Sequence, residues 1–94
     1  MDFVVFSYDI VKDRRRARVQ RALKAALVPV QKSVFEGPMK EGQPARTLEA
    51  LRKLIDPRRD SVRLYHLCPQ CRRRVALAGV AAAVPLVPED VVVQ

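Results

Sequence analysis

The stretch Phe3-Val-Val-Phe-Ser-Tyr-Asp-Ile10 constrains this chain more than any other part of it. It is apolar at nearly every position and rich in β-branched and aromatic residues, so it reads as a central strand buried on both faces. Such a strand needs neighbours on either side and a layer packed on it, and the rest of the chain must supply them. Polarity enters only at Ser7 and Asp9, and a carboxylate at the end of an apolar strand needs a partner or a task.

The residues that follow supply the layer. Asp13 is placed to cap a helix running to about Leu27, whose positions Val19, Ala22, Leu23, Ala26 and Leu27 form one apolar stripe. The other face carries Arg14, Arg18, Arg21 and Lys24. Its first turn holds Arg14, Arg15 and Arg16 in a row, and cations there oppose the helix dipole by about 0.3–1 kcal/mol each when exposed. An anionic ligand would resolve that conflict, since free amides, dipole and guanidinium groups would attract the same phosphate; a solvated basic face is the plainer reading.

Val30 to Met39 reads as extended chain, with Gly37 and Pro38 marking a bend or strand end and no hairpin turn evident between Val30 and Phe35. Leu48, Leu51, Leu54 and Ile55 predict a second helix ending before Pro57, and Ser61 to Leu67 predicts a further strand. A short strand is expected at Val75 to Ala78. Val91-Val-Val-Gln94 is too apolar to lie free in water and is expected to add a strand to a sheet, that of a partner subunit included. The order of elements predicts an α+β, ferredoxin-like two-layer sandwich, an antiparallel sheet with two helices on one face.

Ninety-four residues allow one domain, placed at 1–79 with an extension at 80–94, and a chain this short gains from oligomerisation. The 18 Lys and Arg residues against 10 Asp and Glu give a net charge of +8. Arginine outnumbers lysine, and its planar fork grips phosphate bidentately, so nucleic acid leads the partner classes. No apolar run is long enough to span a membrane and no signal-peptide pattern opens the chain, so a cytoplasmic protein with reduced Cys68 and Cys71 is expected.

Four motifs in order carry a resemblance: Tyr8-Asp9-Ile10, the basic start of the first helix, Gln31-Lys-Ser33-Val-Phe35-Glu36-Gly37, and Asp60-Ser-Val-Arg-Leu-Tyr65-His-Leu67. Over residues 1–79 the chain resembles the CRISPR-associated protein two (Cas two) family. The resemblance implies a symmetric homodimer in which two copies of Asp9 face each other. It also implies Mg²⁺-dependent endonuclease activity on RNA or DNA, and a scaffold role on duplex DNA between two dimers of the CRISPR integrase (protein one). One carboxylate is a poor Mg²⁺ site, whereas a symmetry-related pair supplies two ligands and leaves positions for water and a phosphate oxygen.

Asp9 is therefore the expected catalytic and metal-binding residue, with a strand-end cap or an ion pair to a nearby Arg as the plainer alternative. Arg14, Arg15, Arg16, Arg18 and Ser33 are the expected nucleic-acid-binding residues, and Arg72, Arg73 and Arg74 form a second basic cluster. Tyr8 and Phe35 are assigned to packing or the dimer interface, and Tyr65 to packing. Cys68-Pro-Gln-Cys71 is open to three readings: half a zinc site, a redox pair or ordinary thiols in a turn. A ferredoxin-like metallochaperone carries such a pair just after its first strand, where this chain has Asp-Ile-Val-Lys-Asp instead. A non-catalytic DNA-binding scaffold is the other alternative.

Overall fold

A computed structural model of the protein describes residues 1–78 and 91–93. Strands β1 (Asp2–Asp9), β2 (Val28–Gln31), β3 (Val34–Met39) and β4 (Ser61–Leu67) form one antiparallel sheet in the order β2-β3-β1-β4. Helix α1 (Asp13–Lys24) connects β1 to β2, and α2 (Gln43–Arg52) connects β3 to β4. This β-α-β-β-α-β path is the ferredoxin-like arrangement expected from the sequence.

Because side chains alternate along a strand, β1 sends Val4, Phe6 and Tyr8 to the helix side, and Ile10 follows just beyond its end. There they meet Val19 and Leu23 of α1, Leu51 of α2, and Leu27, Phe35 and Met39. Phe6, Leu23 and Leu51 are fully buried. The opposite face differs from expectation: Val5 and Ser7 are half-buried and Asp9 is exposed. Both helices lie on one side, so within one protomer the other sheet face has no continuous layer. Phe3 is covered locally, with the Arg72 guanidinium 4.3 Å from its ring centroid.

The segment after α1 corrects the sequence reading. A hairpin does lie within Val30 to Phe35: β2 turns into β3 at Lys32-Ser33, which holds none of the Gly, Pro, Asn or Asp residues that most strongly mark a tight turn. Tyr8 holds this turn in place, its N–H donating to the Ser33 carbonyl at 3.1 Å. Pro29 is tolerated because β2 is an edge strand whose register shifts between Pro29 and Gln31. Gly37 and Pro38 sit inside β3 instead of ending it. A Cβ at Gly37 would come 3.1 Å from Leu27 Cδ2, so glycine there lets Leu27 enter the core.

Helix α1 begins one residue earlier than expected, at the residue read as its cap. Lys12 occupies the cap position without a side-chain bond, and Asp13 is the first helical residue. Its carboxylate instead accepts from Arg16 Nη1 at 2.6 Å. The helix ends at Lys24, yet Leu27 stays in the core because its N–H donates to the Leu23 carbonyl at 2.8 Å. After β4, the short helix α3 (Pro69–Arg72) leads to β5 (Val75–Leu77), which pairs in parallel with β6 (Val91–Val93) of the same chain. The rest of the extension placed at 80–94 lies outside the described residues. No described helix is long and apolar enough to cross a membrane.

Candidate metal and nucleic-acid site

Asp9 ends β1 opposite Ser61, the first residue of β4. It shares the open sheet face with Ser7 and Val5, which lie two and four positions back. Its carboxylate is exposed and makes no hydrogen bond or ion pair among the described residues, so neither the capping nor the ion-pair reading describes it. Ser33 comes to the same end of the sheet through its bond to the Tyr8 N–H and is half-buried. Tyr8 is 6% exposed, stacks on Phe35 with ring centroids 6.3 Å apart, and donates its hydroxyl to the Lys32 carbonyl at 3.4 Å. Both aromatic rings are core packing that fixes where β1 ends. Tyr65, expected to pack, is 46% exposed, because it lies opposite Val5 on the uncovered face.

A second carboxylate stands beside Asp9 in a contrasting state. Asp60 immediately precedes Ser61, and its side chain is fully buried. It accepts from Arg15 Nε at 2.7 Å and Nη2 at 3.2 Å, from the Val11 N–H at 3.0 Å and from the Asp56 N–H at 2.9 Å. The Arg15 guanidinium, against the opposing effect of burial and with help from the two backbone amides, holds the Asp60 carboxyl far below the usual carboxylate range. Asp60 thus ties together the loop after β1, the first turn of α1 and the turn before β4.

This clamp changes the reading of the arginine run. An anion does compensate Arg15 at the helix start, but it is a carboxylate of the same chain, and the Arg15 side chain is 19% exposed. Arg16 is likewise engaged, with Asp13 and with the carbonyls of Ile10 at 3.0 Å and Val11 at 3.4 Å. Arg14 and Arg18 remain exposed, without hydrogen bonds or ion pairs among the described residues. Four residues apart, they lie on one face of α1, and Arg21 extends the stripe. Sequence reasoning missed Asp60; the available signal was the unfavourable run Arg14-Arg15-Arg16, which called for an anion.

Across the middle of the open face, the register aligns Val28, Glu36, Val5 and Tyr65 in one row. Glu36 is only 6% exposed, and this burial pushes its carboxyl above the ordinary value. Its side chain has no hydrogen bond or ion pair among the described residues. No group of three or more His, Cys, Asp or Glu able to hold a metal occurs among the described residues, and of the two carboxylates Asp9 and Asp60 only that of Asp9 is left without a hydrogen-bond partner among them.

Comparison with known proteins agrees with the fold. The family model for CRISPR associated protein Cas2 matches residues 1–75. A Chloroflexus aurantiacus protein named CRISPR-associated endoribonuclease Cas2 3 is 42% identical over 78 residues, 83% of this chain and 84% of the relative. Among solved structures, Streptococcus pyogenes Cas2 superposes with a TM-score of 0.71 at 28% identity, covering 82% of this chain and 99% of the other. A chain of a partial Cas6-RT-Cas1–Cas2 complex gives 0.67 at 27% identity, covering 79% of this chain and 81% of the other.

Proposed function

This chain belongs to the CRISPR-associated Cas2 family, and from that premise we propose that it serves CRISPR adaptation as a homodimer. The dimer binds duplex DNA and bridges dimers of the integrase Cas1. It also hydrolyses phosphodiesters of RNA or DNA with Mg²⁺ held by a pair of Asp9 residues. The observation that carries this reading is the Asp9 carboxylate: exposed, unpartnered among the described residues and fixed at the end of the central strand. The endoribonuclease name of the Chloroflexus relative supports the hydrolytic role, and the structural likeness to a chain from a complex containing Cas1 supports the adaptation role.

The donor set suits Mg²⁺ only in duplicate. One carboxylate is too few, whereas two facing copies give two hard anionic ligands and leave room for waters and a phosphate oxygen. On the face away from the helices, the exposed Val28 and Tyr65 and the half-buried Val5, in one row with the buried Glu36, give a second copy a largely apolar surface to bury. When bound, Mg²⁺ neutralises phosphate charge and acidifies a coordinated water. Arg14 and Arg18 hold the backbone of the nucleic acid without reading its bases, and the Ser33 hydroxyl donates to a phosphate oxygen near Asp9.

A scaffold without hydrolysis is favoured by one observation. His66, the chain's single histidine, pairs with Val4 toward the far end of β1, so Asp9 has no histidine base beside it. Titrating Mg²⁺ against cleavage of single-stranded RNA and of duplex DNA separates the readings. Cleavage that requires the metal and disappears in a folded, dimeric Asp9→Asn variant is the expected result. Equal cleavage by the variant overturns the catalytic role of Asp9, and no cleavage by either protein leaves the scaffold.

A further inference from the structure

Cys68 and Cys71 stand outside everything assigned above. Both thiols are exposed and unbridged. Cys68 caps the single turn of α3 and Cys71 lies within it, the turn being closed by hydrogen bonds from the Arg72 N–H to the Cys68 carbonyl at 2.9 Å and from the Arg73 N–H to the Pro69 carbonyl at 3.2 Å. Three residues apart on such a turn, the two side chains lie on one side of it. The Cys71 N–H donates to Cys68 Sγ at 3.3 Å, which brings the two cysteines together across the turn. A metal would need further ligands, and no third Cys, His, Asp or Glu joins the pair among the described residues.

We propose that Cys68 and Cys71 form a reversible thiol–disulfide site that reacts with hydroperoxides, Cys68 being the attacking thiolate and Cys71 the resolving thiol. The two sulfurs are not equivalent. The Cys71 backbone N–H, and then its thiol, stabilise the Cys68 thiolate and hold its pKa below the ordinary thiol value. Cys71 shifts upward, because its own S–H is engaged by Cys68 and because it faces the Cys68 charge. One thiol is therefore charged first while its neighbour keeps a proton, the division of labour that a two-step oxidation needs.

In the first step the Cys68 thiolate attacks a peroxide oxygen and the O–O bond breaks. The departing oxygen leaves as water after taking a proton, and Cys68 becomes a sulfenic acid. In the second step the Cys71 sulfur, losing its proton, attacks the Cys68 sulfur. The S–O bond breaks and a second water leaves. Two thiols and one hydrogen peroxide thus give one disulfide and two waters, and an added dithiol reverses the change by exchange. Reversible pairs of this kind act as redox sensors where the surroundings keep most thiols reduced.

Hydrogen peroxide added to the full chain, followed by intact-mass measurement and dimedone trapping, tests this directly. Wild type should lose two hydrogens without dimedone labelling and regain them in dithiothreitol. Cys71→Ser should stop at a dimedone-labelled Cys68. At neutral pH the lone thiol of Cys71→Ser should be alkylated by iodoacetamide at least about threefold faster than that of Cys68→Ser. Equal alkylation of the two variants overturns the assigned roles. Wild type that forms no bridge, or bridges only between chains, overturns the site itself.

Discussion

Asp9 and Asp60 stand at one end of the same sheet, the first closing β1 and the second leading into the strand that pairs with it, yet they have opposite environments. Asp60 is buried, and its carboxylate oxygens are taken up by Arg15 and two backbone amides. Asp9 stands on the uncovered face with its charge uncompensated by any described residue. A buried carboxylate keeps its charge only with such partners, whereas an exposed one can wait for a ligand. The difference separates a carboxylate that builds the site from one that would act in it, and arginines divide the same way, Arg15 and Arg16 holding the loop while Arg14 and Arg18 face solvent.

The strongest way to break this contrast is to remove the structural carboxylate. Asp60→Ala strands Arg15 and two backbone donors, so it should lower the melting temperature, read by circular dichroism, far more than Asp9→Asn does. A loss no larger than that of Asp9→Asn would remove the distinction. The pH dependence follows from the sign of the shift. Asp60 has a lowered pKa when folded, so its stabilisation is complete above its ordinary value of 3.8 and is lost as the pH falls well below that. Acid unfolding of Asp60→Asn should therefore be less steep than that of wild type in that acid range.

Glu36 offers the reverse case. Its folded pKa is raised by burial, so its ionisation costs stability as the pH climbs from 4.5 through the folded value. Glu36→Gln should therefore raise the melting temperature modestly at neutral pH and not at pH values below 4.5. A gain of equal size at both would show that its charge is not the cause.

Smaller still in stability, but specific in binding, is the double change Arg14→Ala with Arg18→Ala. Melting should be unchanged, while the slope of log affinity for duplex DNA against log salt should weaken by roughly 0.9 for each phosphate that is no longer neutralised. The matching pair Arg15→Ala with Arg16→Ala should act first on melting. The smallest effect belongs to Tyr8→Phe, which removes a 3.4 Å bond to the Lys32 carbonyl and should cost no more than about 1 kcal/mol in urea unfolding.

Local patterns make much of this molecule legible. The apolar run of β1, the stripes of α1 and α2 and the alternation of β4 are periodic signals, and each element forms close to its expected limits. The β2–β3 hairpin is hidden because Lys32-Ser33 is held by Tyr8, a distant strand residue, and not by turn chemistry of its own. Burial of β1 on both faces is an over-reading, because composition does not say on which side the helices will pack. Asp60 is silent for a similar reason: its partner Arg15 is 45 residues away, and sequence spacing does not reveal such a pair. Asp9 is legible because an acidic residue ending an apolar strand is conspicuous without any knowledge of its surroundings.

The most direct measurement of the role given to Asp9 is the melting temperature against Mg²⁺ concentration for wild type and Asp9→Asn, since a ligand bound only by the folded state raises its stability and no substrate or contaminating nuclease enters. Wild type should rise with Mg²⁺ and level off, while Asp9→Asn, starting at nearly the same temperature, should stay flat. Equal shifts in the two proteins would place the metal elsewhere and leave Asp9 without the role proposed for it.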